Sequence, residues 1–156
     1  MKSLQPLIQS KSDRTAYDVL GDRYTLLLSA EETGGAYSLF DFEVPPGRGS
    51  PPHIHSREDE SFYVLSGEVD FMVDGKVTRA RSGDVVFGPR GIKHNFTVVG
   101  ASPARMICLT SPGGFENFFA AVGSVVKDKS IPPQAPREED IQRVGIQAPL
   151  FGLVML

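Results

Sequence analysis

The feature that most constrains the fold of this chain is a series of short segments in which apolar and polar residues alternate, separated by turn residues. Alternation of this kind indicates half-buried β strands. The series predicts strands over residues 24–28, 36–44, 61–65, 68–73, 76–81, 84–87, 94–99 and 104–110. Ser66-Gly67 is typical of a tight hairpin, and Asp74-Gly75 of the next reversal. Many short strands without intervening helices predict an all-β sandwich or barrel, whose turns the 16 glycines and 12 prolines supply.

The pattern changes after Gly113-Gly114. Apolar residues between Phe115 and Val126 recur at helical spacing, which predicts an amphipathic helix that serves packing or a dimer interface rather than ligand binding. A proline-rich stretch and a short helix over residues 137–144 follow, and we expect the apolar tail at 150–156 to pack on the same subunit or on a partner. These features divide the chain into an N-terminal extension and edge strand (1–35), a barrel core (36–112) and a C-terminal helix and tail (113–156).

Composition and charge exclude several classes of protein. A length of 156 residues predicts one domain. The net charge of −3 provides no basic footprint, so we expect no nucleic-acid partner. Cys108 is the single cysteine, which excludes an internal disulfide, fits a reducing compartment and is interpreted as an inert buried thiol. The sequence shows neither a signal peptide nor a membrane span, so we expect a soluble, cytoplasmic protein without a membrane partner.

The three histidines of the chain are concentrated in two short segments. His53 and His55 lie two residues apart, so on a strand both imidazoles point to the same face. Glu60 begins the next predicted strand and offers a carboxylate from a neighbouring position, and His94 begins a later one. Neutral imidazoles beside a carboxylate suit divalent first-row metals, so these residues predict a metal site.

Glycines and a proline frame these histidines at regular spacing. The first segment contains Gly47, His53, His55, Glu60 and Gly67, and the second contains Gly83, Pro89, Gly91 and His94. In both segments the chain resembles the two motifs of the cupin superfamily. One position departs from the second motif, because Val98 stands where the family has an asparagine that is not a metal ligand. The resemblance covers residues 36–111.

The resemblance implies a fold, a ligand set and a cofactor. The fold is all-β, an antiparallel double-stranded β-helix or jelly-roll barrel, here with a C-terminal helical extension. The implied ligands are His53, His55, Glu60 and His94, around one divalent transition metal that is Fe, Mn, Ni, Cu, Co or Zn. Three histidines and one carboxylate leave coordination positions open, which is typical of a catalytic rather than a structural site.

Strand alternation predicts an apolar, aromatic substrate pocket beside the metal. If Glu60 and His94 point inward, the phenylalanines two residues further along each strand do so too, and the two phenylalanines of the strand over 36–44 share one face. The predicted pocket residues are Phe40, Phe42, Phe62 and Phe96. Such a cavity suits a small, planar or hydrophobic ligand. Glu58 and Asp59 are interpreted as a solvated turn, and Arg48 as a surface residue or one that orients an anionic substrate.

Three functions remain open on the sequence. The first is a metal-dependent dioxygenase resembling quercetinase, with Glu60 as catalytic residue. The second is a metal-dependent isomerase, epimerase or decarboxylase of a small polar compound. The third is a non-catalytic module that binds a small molecule. Small members of the superfamily commonly pair, so we also expect a homodimer, with residues 24–28 and 150–156 as candidates for the exchanged segments.

Overall fold

The computed structural model describes residues 4–156, so the start of the predicted N-terminal extension at residues 1–3 lies outside the described residues. The strands are β1 (Ala16–Val19), β2 (Asp22–Leu28), β3 (Ser38–Val44), β4 (His53–His55), β5 (Asp59–Ser66), β6 (Glu68–Val73), β7 (Lys76–Arg81), β8 (Val85–Gly88), β9 (His94–Val99), β10 (Ala104–Ser111), β11 (Ser124–Val125) and β12 (Leu153–Met155). The helices are α1 (Glu116–Val122) and α2 (Glu138–Gln147), and 3₁₀ turns span Lys11–Asp13 and Ala148–Phe151. Within residues 4–156, none of the helices has the length and apolar character needed to cross a bilayer.

The strands form two antiparallel sheets that enclose the core. One has seven strands in the order β11-β1-β2-β3-β10-β5-β8, and the other has five in the order β12-β4-β9-β6-β7. Neighbours in each sheet are mostly distant along the chain, as in a jelly roll. The predicted all-β double-stranded barrel with a C-terminal helical extension is confirmed.

Alternation along the strands builds the interior. On β5, Phe62 and Val64 are buried while Tyr63 between them is 45% exposed. On β9, His94, Phe96 and Val98 are buried on one face. Each large apolar side chain removed from water contributes roughly 1.5–3 kcal/mol, so this face of each strand is held inward. Polar groups on the same face are therefore carried into the core with it.

One turn differs from the sequence prediction. Ser66-Gly67 does not close a hairpin, because β5 and β6 belong to different sheets. Gly67 has a φ of +83°, and a Cβ atom there would lie 2.7 Å from the Cα of Ala104. The glycine is needed where the chain turns from one sheet to the other against β10. The Asp74-Gly75 reversal does join paired strands, β6 and β7.

The C-terminal segment packs against the barrel and adds a strand to it. Helix α1 ends at Val122, before Gly123, so the apolar residues at 125 and 126 lie outside it. The apolar tail forms β12, which pairs with β4 so that Leu153 lies opposite His55 and Met155 opposite His53. Strand β2, which contains residues 24–28, lies between β1 and β3. Both segments considered for exchange between subunits are thus paired within the chain.

Candidate metal centre

The four residues singled out in the sequence meet inside the barrel. His53 and His55 lie on β4, His94 pairs with His53 at the start of β9, and Glu60 occupies the first inward position of β5. All four are buried, and one donor atom from each lies within 4.8 Å of the others. Glu60 Oε2 is 3.0 Å from His94 Nε2 and 3.5 Å from His55 Nε2. Three imidazoles and a carboxylate at this spacing could hold a divalent transition metal.

The outward ring nitrogens of the histidines have hydrogen-bond partners of their own. His53 Nδ1 is 2.8 Å from the carbonyl oxygen of Pro51, and His94 Nδ1 is 2.9 Å from that of Ile92. Because a carbonyl can only accept, each Nδ1 donates. This fixes the orientation of both rings and directs Nε2 toward the centre as a ligand atom.

The third ring is held by a carboxylate that the sequence interpretation assigned to a solvated turn. Glu58 is only 6% exposed, and its Oε2 lies 3.4 Å from His55 Nδ1. That interpretation of Glu58 was wrong, because the side chain is buried beside His55 instead of solvated. Its neighbour Asp59 faces outward and binds the Arg90 guanidinium at 2.9 Å. The feature of the sequence that could have indicated this contact was the three-residue spacing between His55 and Glu58.

We expect Glu58→Gln to weaken metal binding by about 10- to 100-fold, because an outer carboxylate orients a ligating imidazole and raises its basicity. The measurement is a competition titration against a chelator of known affinity. Asp59→Asn is the matched control, since it alters the adjacent carboxylate, which contacts Arg90 instead of a histidine. Equal affinities for both variants would contradict this role for Glu58.

Burial and neighbouring charges shift the pKa values of the clustered residues in opposite directions. Burial lowers the pKa of His53 to about 4, so its ring stays neutral. Burial alone would also lower the pKa of His55, but the carboxylates of Glu60 and Glu58 outweigh it and raise that pKa to about 9. For Glu60, burial opposes ionisation, yet the charge of His55 and hydrogen bonding with His55 and His94 hold the pKa of this carboxyl well below the usual range. Glu60 is therefore a carboxylate.

Cys108 forms a hydrogen bond with Glu60. Its thiol is fully buried and donates to Glu60 Oε1 across 3.2 Å. Burial, and then the charge of Glu60, raises the pKa of this thiol well above its usual value. The thiol is therefore unreactive as a nucleophile, and its contribution is to fix one oxygen of the carboxylate.

A cavity of about 70 Å³ opens beside the cluster. His53, His55 and Glu60 line it on one side. Of the predicted pocket residues, Phe42 and Phe96 line the cavity, whereas Phe40 and Phe62 pack in the core around Phe42. The remaining aromatic walls are Tyr24, Phe115, Phe118 and Phe119.

Helix α1 therefore lines the cavity, although the sequence interpretation assigned its apolar stripe to packing or an interface. The Phe115 ring lies 4.6 Å from the ring of His55, between centroids, and Phe119 stacks on Tyr24 at 4.5 Å. Apolar spacing along a helix shows that one face is buried, but it does not show which element that face will cover. Only the folded chain shows that this face lines the cavity beside the metal cluster.

One acidic side chain that the sequence analysis did not single out also lines the cavity. Asp22, at the start of β2, is 1% exposed, and its Oδ2 accepts a hydrogen bond from the Tyr24 hydroxyl at 3.2 Å. Burial raises the pKa of Asp22 to about 7, against the smaller effects of the Tyr24 bond and the Arg48 charge. Burying this carboxylate destabilises the fold near neutral pH.

We expect Asp22→Asn to be more stable than the native chain, by a margin that increases with pH. The folded state holds the Asp22 proton more tightly than the unfolded state, so the contribution of Asp22 to native stability falls as pH rises from about 4 to about 7. The margin should grow by about 2–3 kcal/mol between pH 5 and pH 8. Urea unfolding of both metal-free proteins measures it, and a margin independent of pH would contradict the expectation.

Comparison with known proteins agrees with this architecture. The model of the cupin domain matches residues 40–110. The oxalate-binding protein of Thermotoga maritima is 36% identical over 84 residues, which cover 53% of this chain and 69% of that protein. The chain belongs to the cupin superfamily. The resemblance drawn from its two histidine motifs is thereby confirmed.

Two further relatives bear on fold and function. Quercetin 2,3-dioxygenase of Bacillus subtilis is 28% identical over 124 residues, which cover 78% of this chain and 36% of the dioxygenase. This cupin thus spans little more than a third of that relative. The structure of the polyketide cyclase RemF from Streptomyces resistomycificus superposes with a TM-score of 0.62 at 18% identity, over 88% of this chain and 92% of the other. That likeness shows the fold.

Proposed function

We propose that this cupin is a metal-dependent oxidoreductase of the dioxygenase type that acts on a small aromatic or enolisable substrate. The observation that carries the proposal is the convergence of His53, His55, Glu60 and His94 beside a cavity with aromatic walls. The similarity to a quercetin 2,3-dioxygenase supports it. In such a reaction O₂ is the oxidant, and both of its atoms enter the product.

Different residues of the cavity would have different roles in this reaction. A divalent transition metal, when bound, would supply Lewis acidity toward a substrate hydroxyl and redox chemistry toward O₂. His53, His55 and His94 hold their ring nitrogens in place for it through the outer hydrogen bonds described above. Glu60 would ligate the metal together with the histidines and, on leaving the metal, would accept the proton of the substrate hydroxyl. The phenylalanine walls exclude water and stack against a planar ligand.

The size of the cavity narrows the substrate. Its volume of about 70 Å³ corresponds to about five water molecules. A compact enediol or a single-ring hydroxyketone is therefore the best match, since a larger flavonol requires the phenylalanines of α1 to move aside. The cavity walls within the described chain include no lysine or arginine, which disfavours strongly anionic substrates.

The test is oxygen consumption by Fe-, Mn-, Ni- and Cu-loaded protein with single-ring hydroxyketones, catechols and flavonols. We expect turnover with at least one metal, and a loss of about 100-fold in rate on Glu60→Gln, because a positioned base contributes about 10²–10⁴-fold. Glu68→Gln, which alters an exposed carboxylate paired with Arg81, serves as the control. Absence of turnover with every metal and substrate class would overturn the proposal.

A second candidate is a non-catalytic module that binds a small ligand through the metal. The similarity to an oxalate-binding protein and the small cavity favour it. Calorimetry with oxalate and with a single-ring hydroxyketone separates the two functions. Tight binding of either compound without oxygen consumption or chemical change would favour the binding module.

We also propose that the chain forms a homodimer through the β8 edge of the seven-stranded sheet. On that edge β8 presents Val85, 71% exposed, and Phe87, 55% exposed. An apolar edge strand is a ready site for pairing with a second copy. We expect sedimentation equilibrium to show a dimer at micromolar concentration and a monomer for Val85→Lys. A monomeric native chain would contradict this assembly.

A further inference from the structure

Asp22 provides a polar group in an otherwise apolar part of the cavity. It follows a two-residue turn, Leu20-Gly21, in which both residues have positive φ angles of 50° and 90°. The turn joins the paired strands β1 and β2, so the carboxylate is mounted on a rigid part of the sheet. Val19, Leu20, Phe118 and Phe119 line the cavity with it.

One oxygen of this carboxylate has no partner in residues 4–156. Oδ2 accepts from Tyr24, but Oδ1 is buried and accepts no hydrogen bond. A buried acceptor without a partner is costly, and native proteins retain few of them. Of the other two unpartnered atoms in the described chain, Thr110 Oγ1 and Arg48 Nη1, neither belongs to a residue that lines the cavity. Asp22 Oδ1 is thus the acceptor that a ligand in the cavity can satisfy.

The neighbouring turn leaves space for a positive charge. A Cβ atom at Gly21 would lie 1.5 Å from Arg48 Nη1, so the guanidinium occupies the space that a side chain at position 21 would fill. No hydrogen bond joins Arg48 to Asp22, but its charge acts on the carboxyl. This charge opposes the effect of burial on the Asp22 carboxyl, and the ionised form that it favours is the stronger hydrogen-bond acceptor.

We propose that Asp22 is a specificity-determining residue that binds a ligand hydroxyl, at a second polar site in the metal-cluster cavity. The ligand class is a hydroxylated ring or enol with one hydroxyl near Glu60 and another across the ring. This deepens the proposed function and rests on it for the placement of the first hydroxyl. An isolated carboxylate substituent on the ligand is disfavoured at this site, because it would meet the negative charge of Asp22.

The test compares two single-ring hydroxyketones that differ in one hydroxyl. Kojic acid carries a hydroxymethyl group across the ring from its enol hydroxyl, and allomaltol carries a methyl group there. Binding of each to Zn²⁺-loaded protein is measured by calorimetry, since zinc is redox-inert and prevents turnover. We expect the native chain to prefer kojic acid by about 10- to 100-fold, as for hydrogen bonds to a charged acceptor.

The preference should disappear in Asp22→Ala. Asp22→Asn, which preserves the shape of the side chain, should lower the preference at least threefold. This second variant keeps the test decisive if the alanine variant does not fold. Asp41→Ala is the matched control, because Asp41 is an equally buried carboxylate that pairs with Arg105 and does not line the cavity. It should retain the preference.

The outcomes separate this inference from the proposed function. Equal binding of both compounds to the native chain, or an unchanged preference in both Asp22 variants, would overturn the role of Asp22 alone. In that case Oδ1 is satisfied by a structural water only. Binding of neither compound to the native chain would overturn the proposed hydroxyketone substrate class and this site together.

Discussion

We expect the His53→Ala variant to lose stoichiometric metal. His53 is buried, oriented by the Pro51 carbonyl and paired with His94, and it supplies one of the four donor atoms that meet in the barrel. Loss of a hydrogen-bond partner of a ligating side chain lowers metal affinity by about 10- to 100-fold. Removal of a ligand itself should therefore lower metal affinity by at least about 100-fold. Elemental analysis should fall from about one metal ion per native chain to less than a tenth of that. This is the largest expected effect of a single substitution.

Ile54→Ala is the matched control, because Ile54 lies between the two histidines and faces the opposite side of β4. Its metal content should equal that of the native chain. Added metal should raise the unfolding temperature of the native chain and of Ile54→Ala, but not of His53→Ala, since a ligand at about 100 times its Kd contributes about 2.7 kcal/mol. Negligible metal in every form after reconstitution would overturn the metal centre.

Deletion of residues 148–156 should cause the largest loss of stability. The deletion removes β12 from the edge of β4 and takes away Leu153 and Met155, which line the cavity. The buried side chain of Leu153 alone contributes roughly 1.5–3 kcal/mol, and the lost strand pairing adds to this. We expect a total loss of about 5 kcal/mol and a fall of about 10–20 °C in unfolding temperature. Metal affinity should fall too, because β4 then has a free edge.

Two point variants show whether packing explains this loss. Leu153→Ala removes a side chain that is 5% exposed, and should cost about 2–5 kcal/mol. Val154→Ala alters the adjacent residue, which is 48% exposed, and should cost less than about 0.5 kcal/mol. Equal stabilities for the two variants, or a deletion that leaves the unfolding temperature unchanged, would show that β12 is dispensable.

Prediction from sequence succeeded where short-range geometry decides the structure. The period of two in a strand placed Phe62 and Val64 on the face that carries Glu60, and His53 beside His55. It failed at Ser66-Gly67, because a glycine turn permits a hairpin or a change of sheet equally well. It also failed at Glu58, because the burial of a side chain in a turn depends on which elements later cover it.

The sequence by itself determined the family, eight of the twelve strands within residues 4–156 and the four residues of the candidate metal centre, since the spacing of those residues encodes the faces they occupy. Strands β1, β11 and β12 were not among the predicted strands. Only the tertiary structure decided what surrounds that centre. Asp22 and the phenylalanines of α1 join the cavity, and β12 joins β4, through pairings between segments far apart in the chain. Such contacts form because barrel closure and burial of apolar faces are favourable for the whole molecule. The local periodicity of the sequence therefore cannot predict them.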